Sequence, residues 1–228
     1  MIISESISEV KRRINVACNR CDRSSDEVSL IAVSKTLPVE FIEDAYEAGL
    51  RIFGESRPQE VRDKIPVLPK DIQWHFIGPL QTNKIKYVLP VCNLIHSVDS
   101  MHLAEAISEY CEKKDISANI LLEVNTSSES SKIGVSPIEA GKIFKQIRLL
   151  SNINILGLMT IAPFTDVEED IRQSFRLLAS LKEELHSEIG RDQRFELSMG
   201  MSQDYEIAIE EGSTMIRVGT SIFGPRGR

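Results

Sequence analysis

The sequence predicts an α/β fold, a single (β/α)8 TIM barrel with one extra N-terminal helix. Short apolar runs alternate with longer amphipathic segments from residue 29 onward, and there are eight such runs. Setting aside about 27 leading residues leaves about 25 per unit, enough for a strand, two short loops and a helix of about eleven residues. Eight βα units in that length fit a closed barrel. An open doubly wound sheet, built from the same elements in another strand order, is the competing architecture. No linker, low-complexity tract or fixed-period repeat divides the chain. One domain over 1–228 is therefore expected, with 1–27 packed as a helix on the barrel.

The leading segment sets Ile7, Val10, Ile14, Val16 and Ala17 among charges at helical spacing. The apolar runs follow at 29–33, 51–53, 73–77, 94–98, 119–124, 153–159, 195–199 and 215–218. Pro38 suits the first turn of a helix over 40–46, and Gly49 suits its stop. Ser136, Pro137 and Glu139 read as a capping box with proline at the first helical position. The longest helix is expected over 166–187 and the shortest over 205–211, ended by Gly212.

The chain has 34 Asp and Glu against 27 Lys and Arg, a formal charge of −7, and a pI near 5.3. Nucleic acids and anionic membranes call for a basic face, which the short tail Arg226-Gly227-Arg228 does not supply. No stretch approaches the length of a membrane span, and the first residues lack a signal peptide's positive flank and apolar core. A cytoplasmic protein is expected. Cys18, Cys21, Cys92 and Cys111 make no disulfide framework in such a chain. Cys18 and Cys21 form a CxxC, but inside a helical pattern and without the second pair a zinc site needs, so no metal is expected.

In a barrel, function lies where strands hand over to the following loops. The first run ends Ala32-Val33-Ser34-Lys35-Thr36. A lysine closing an apolar strand either snorkels to solvent or is an amine of lowered pKa that forms a Schiff base with a carbonyl. The seventh and eighth runs end Ser198-Met199-Gly200-Met201-Ser202 and Arg217-Val218-Gly219-Thr220-Ser221. Glycine lets backbone N–H groups approach an anion and the hydroxyls add donors, so these loops read either as a phosphate site or as two tight turns. Closing the barrel sets strand 8 beside strand 1 and Lys35 within reach of a phosphate held there. An amine beside a phosphate-binding rim describes a pyridoxal 5'-phosphate site.

These segments, taken with Phe53-Gly54-Glu55, Trp74-His75-Phe76-Ile77-Gly78, Leu80-Gln81, Asn83-Lys84, His96-Ser97-Val98-Asp99, Gly157-Leu158-Met159, Asp204-Tyr205 and Phe223-Gly224, resemble the YggS/PROSC family of pyridoxal phosphate homeostasis proteins. The resemblance runs from about residue 29 to 226. It implies the barrel of the N-terminal domain of alanine racemase, with Lys35 as the Schiff-base lysine. It also implies phosphate contacts from Ser198-Met199-Gly200 and Gly219-Thr220, and Arg217 against the pyridine nitrogen. Where the family reads Gly-Glu-Asn-aromatic-x-Gln-Glu, this chain has Gly54-Glu55-Ser56-Arg57-Pro58-Gln59-Glu60. Only the shorter Ser56 hydroxyl could replace that asparagine amide.

Other residues compete for roles. His75 is a hydrogen-bonded core histidine or a base. His96 precedes a strand end, and His102 and His186 read as surface residues of helices. Glu123 faces the barrel interior or caps a neighbour, and Met199, Met201 and Met215 read most simply as core. Arg217 could instead pair with Glu196 or another carboxylate. Three functions follow. The first is a monomeric carrier that holds pyridoxal phosphate reversibly on Lys35, with apo pyridoxal-phosphate enzymes as recipients. The second is an amino-acid racemase, which in this fold takes a tyrosine as second acid/base, yet Tyr46, Tyr87, Tyr110 and Tyr205 all lie in helical patterns. The third is a cofactor-free barrel for another phosphorylated metabolite.

Overall fold

The computed structural model describes residues 2–127, 133–189 and 194–225. The chain runs α1 (Ile3–Arg20), β1 (Ser29–Val33), α2 (Val39–Glu47), β2 (Ile52–Glu55), α3 (Pro58–Lys64), β3 (Gln73–Phe76), α4 (Ile85–Val88), β4 (Leu94–Val98) and α5 (Met101–Lys114). It continues with β5 (Ala118–Glu123), α6 (Pro137–Ile147), β6 (Ile153–Met159), α7 (Glu168–Ile189), β7 (Glu196–Met201), α8 (Tyr205–Glu210), β8 (Met215–Val218) and α9 (Thr220–Phe223). The strands close in chain order into a parallel barrel, which rules out the open sheet. Closure pairs Ile31 with Arg217 and Ala32 with Val218.

Helix ends follow their local chemistry. Pro38 precedes α2 as its N-cap residue, and Gly49 turns the chain at φ +93°. Ser136 caps α6 through the Glu139 N–H. The expected capping box is not closed, because the Glu139 carboxylate accepts from the Ser136 hydroxyl instead of from the Ser136 backbone. The reciprocal box forms at Ser24 and Glu27, in a 3-10 turn before β1. The helix at 205–210 is not the shortest, since α4 and α9 are single turns.

Side chains alternate across each strand, so one set meets the helices and the other fills the barrel. Outward residues such as Phe53, Trp74, Phe76, Ile120, Leu158, Met199 and Ile216 lie buried under the helices. Helix α1 buries Ile3, Ile7, Val10, Ile14, Ala17 and Cys18 in the cluster that contains Ile42, Tyr205 and Phe223. Each fully buried isoleucine there contributes about 1.5–3 kcal/mol. The helix thus ties the last units of the barrel to the first. Arg13 and Arg20 add ion pairs to Glu206 and Glu210, worth at most about 1 kcal/mol each at the surface.

The barrel interior is layered. Ile31, Leu94, Leu121, Met159 and Met215 form an apolar plug. Two residues further along the strands comes a polar layer in which Arg217 Nη1 donates to Ser198 Oγ at 2.6 Å and Nη2 donates to the Thr160 carbonyl at 2.9 Å. Ser198 Oγ lies 2.8 Å from His96 Nδ1, and His96 Nε2 lies 3.0 Å from His75 Nδ1. Among the described residues, no buried side-chain atom of that chain is left without a partner, as a buried network requires.

Burial disfavours the charged imidazoles, holding His75 down to about 4 and His96 well below its ordinary value. A histidine whose folded pKa lies below its unfolded value gives stability that is present above about pH 6.5 and is lost as pH falls toward 4. Glu55 and Glu123, pushed up to about 7 chiefly by burial, act in the opposite sense: their stabilisation is full below about pH 4.5 and is lost as pH rises through 7. The two trends oppose each other in any global unfolding curve, so the ring itself is the reporter. Imidazole NMR shifts are expected to show the His75 ring neutral from pH 8 down to about pH 5. A ring titrating near pH 6.5 would show that this layer is hydrated and the interior is not packed as described.

Candidate functional site

A cavity of about 420 Å³ opens at the carboxyl ends of β1, β7 and β8, within the usual range for a small-molecule site. Val33 and Lys35 form one wall; Met201, Ser202, Gln203 and Asp204 form another, Gly219, Thr220 and Ser221 a third, and Ile77 and Ile161 line it from across the barrel. Arg217 reaches it from the polar layer below. The inward positions on β1 and β8 step by two, from Ile31 through Val33 to Lys35 and from Met215 through Arg217 to Gly219. That parity brings an amine, a guanidinium and a glycine-hydroxyl loop to one cavity.

Of the residues singled out in the sequence, Lys35, Arg217, Gly219 and Thr220 line this cavity, whereas Ser198, Met199 and Gly200 do not. Ser198 lies a layer deeper, fully buried on Arg217 and His96. Met199 points outward into the core under the helices. Gly200 has φ +94°, and a Cβ there would lie 2.5 Å from that of Ala208, so its place is a close strand–helix approach. The hydroxyl at the cavity on this loop is Ser202, whose Oγ accepts from the N–H groups of Gly219 at 3.1 Å and Ser221 at 3.3 Å. Met201 lines the cavity and is not a core residue as its type suggested.

The secondary candidates stand apart. Ser56 lies against Gly78, where an added Cβ would come within 2.2 Å of the Ser56 carbonyl oxygen, and it does not line the cavity. His75 belongs to the polar layer. His186 is half-buried against the Phe195 ring, with centroids 5.6 Å apart, and is not a plain surface residue. Glu196 bonds Thr214 and pairs with Arg194, so it is not the partner of Arg217. Glu123 lines an adjoining cavity of about 340 Å³ that shares Ile77 and Ile161 with the first.

Electrostatics distinguish the groups at the site. Arg217 is pulled down to about 10 by burial, opposed by the carboxylates of Asp204 and Glu123, and so stays protonated at neutral pH. Asp204 is raised by burial, opposed by the Met201 N–H that it accepts. Among the described residues no group of His, Cys, Asp and Glu side chains is placed to hold a metal ion, and no helix is long and apolar enough to cross a membrane.

A family model described as alanine racemase, N-terminal domain, matches residues 6–227. A pyridoxal phosphate homeostasis protein of Aquifex aeolicus is 44% identical over 223 residues, covering 97% of each chain. The solved structure of PipY from Synechococcus elongatus with pyridoxal phosphate bound superposes with a TM-score of 0.82 at 34% identity, over 97% of this chain and all of that one. An alanine racemase of Clostridium difficile shares the barrel alone, with a TM-score of 0.80 at 13% identity, and this chain covers 57% of it. With a barrel closed in chain order and a lysine at its first strand's mouth, the chain belongs to the alanine racemase N-terminal domain family, among its pyridoxal phosphate homeostasis proteins.

Proposed function

We propose that this chain holds pyridoxal 5'-phosphate reversibly as a Schiff base on Lys35, and that it serves pyridoxal phosphate homeostasis without a dedicated turnover. The observation that carries the reading is the convergence of Lys35, Arg217 and the Gly219-Thr220-Ser221 loop on one cavity. These residues fit the cofactor's chemistry: a primary amine for an aldehyde, backbone N–H groups and hydroxyls for a phosphate, and apolar walls for a ring. Relatives named as pyridoxal phosphate homeostasis proteins support it, as does the related PipY structure with the cofactor bound.

When bound, pyridoxal phosphate supplies an aldehyde carbon that amines capture and a ring that accepts electron density. Lys35 provides the capturing amine. The N–H groups of Gly219 and Ser221, now turned onto Ser202, and the Thr220 hydroxyl receive the phosphate. Val33, Ile77, Ile161 and Met201 exclude water along the walls. Arg217 lines the cavity and would stand against the pyridine nitrogen, where a guanidinium would donate to it and could not accept a proton. That arrangement would restrain the ring as an electron sink, as suits a carrier.

Two-sided proton transfer needs a second placed group. Tyr46, Tyr87, Tyr110 and Tyr205 stand on α2, α4, α5 and α8, and none lines the cavity. The carrier reading extends to a monomeric cytoplasmic protein that acts as one domain and hands the cofactor to apo pyridoxal-phosphate enzymes.

Borohydride reduction of the cofactor-loaded protein followed by peptide mapping should place the adduct on Lys35. Recovery chiefly on Lys84, or on Lys132, which lies outside the described residues, would contradict the assignment. Thr220→Ala should weaken pyridoxal phosphate binding by about 1–3 kcal/mol, because hydrogen bonds to a charged group are the strong ones. It should leave dephosphorylated pyridoxal nearly unaffected. Equal losses for both ligands in a binding titration would show that Thr220 supports the ring or the fold and not the phosphate.

A further inference from the structure

Behind Lys35, on the outer side of the barrel wall, lies a buried ionic cluster that contributes no atom to the cavity. Lys64 of α3 is 7% exposed. Its Nζ donates to Glu55 Oε1 at 2.8 Å, to Glu60 Oε2 at 2.8 Å and to the Ser34 carbonyl at 2.9 Å. Glu55 Oε1 also accepts from the Ser34 hydroxyl at 2.7 Å, and Glu60 Oε2 accepts from the Thr36 N–H at 2.6 Å. Glu55 is fully buried and its second oxygen has no hydrogen-bond partner.

Such a cluster is a poor source of stability, since desolvating its ions offsets their attraction and apolar replacements of equal volume are often neutral or better. Its backbone contacts are what set it apart: they fall on the two residues that flank Lys35. The Ser34 carbonyl, held by Lys64, also accepts from the Leu37 N–H at 3.1 Å and so closes a turn with Lys35 and Thr36 at its corner. Thr36 has φ +66°. A β-branched residue in that region costs about 1–3 kcal/mol and persists only where its surroundings impose it. Here the Glu60 carboxylate on the Thr36 N–H supplies the constraint.

We infer that Lys64, Glu60 and Glu55 are positioning residues for Lys35. They lock the 34–37 turn so that the lysine projects from its corner into the cavity with its backbone already ordered. The inference rests on Lys35 being the cofactor lysine, and it concerns the turn that presents it. Preordering matters because a misplacement of about 1 Å in a reacting group costs about a hundredfold in rate.

The test compares Glu60→Ala, which removes the acceptor for the Thr36 N–H, with Glu60→Gln, which keeps an oxygen there. In the cofactor-free protein, amide hydrogen exchange at Thr36 and Leu37 should quicken about tenfold or more in Glu60→Ala. Exchange at Leu121 and Leu158, across the barrel, should not change. Capture of added pyridoxal phosphate, followed by visible absorption, should slow by about ten- to a hundredfold in Glu60→Ala and recover most of its rate in Glu60→Gln. Unchanged exchange at Thr36 and Leu37 in a folded Glu60→Ala protein would overturn the inference, as would faster exchange with an unchanged capture rate. Should Glu60→Ala fail to fold, the Glu55→Gln and Lys64→Met double variant, which removes the charge pair together, is read in the same two ways. If wild-type protein captures the cofactor on another lysine, the carrier reading of Lys35 fails, and the exchange at Thr36 and Leu37 alone decides whether the cluster locks the turn.

Discussion

Everything at the mouth of this barrel depends on the pairing of its first strand with its last. Ile31 stands opposite Arg217 and Ala32 opposite Val218, and from that register each side chain's height in the interior follows. The plug of Ile31 and Met215 excludes water below. The next inward step on β8 is Arg217, and the following steps on the two strands are Lys35 and Gly219. Breaking this seam would separate the amine from the glycine-hydroxyl loop. Helix α1 guards it, burying one face against residues of α2, α8 and α9 at once.

The polar layer explains how a guanidinium is kept inside a barrel. Its burial cost is offset by bonds from both terminal nitrogens, one to a hydroxyl and one to a carbonyl. Asp204 and Glu123 add Coulombic support. Because the two histidines beyond Ser198 are held neutral, no second cation competes with Arg217 there. The same low dielectric leaves Glu123 poised near neutrality on the wall of the adjoining cavity.

Much of this was legible in the sequence, because a closed barrel is written in parity and spacing. The eight strands, the extra helix and the placing of Lys35 beside the eighth strand's loop follow from short apolar runs alternating with amphipathic segments and from strand-end chemistry. The seventh strand was less legible. Its register against β8 shifts between Ser198 and Met201, and Gly200 adopts φ +94° to let α8 approach. That irregularity sinks Ser198 into the interior and leaves Ser202 at the cavity, which counting by twos from Ser198 could not distinguish. The contact of His75 with His96 joins two neighbouring strands, β3 and β4, 21 residues apart in sequence, and carries no local signal. Nothing local in the sequence marks Glu55 and Lys64 as partners; the packing of α3 against the end of β1 buries them together.

The central claim is that barrel closure gathers Lys35, Arg217 and the loop after β8 around a single ligand. A crystal structure of the protein loaded with pyridoxal phosphate tests this most directly. The account predicts continuous density from Lys35 Nζ to the cofactor, the phosphate against Gly219 and Ser221 with the Ser202 hydroxyl displaced from their N–H groups, and the ring over Arg217. Cofactor bound at another lysine, or seated in the adjoining cavity beside Glu123 with Lys35 unmodified, would contradict it.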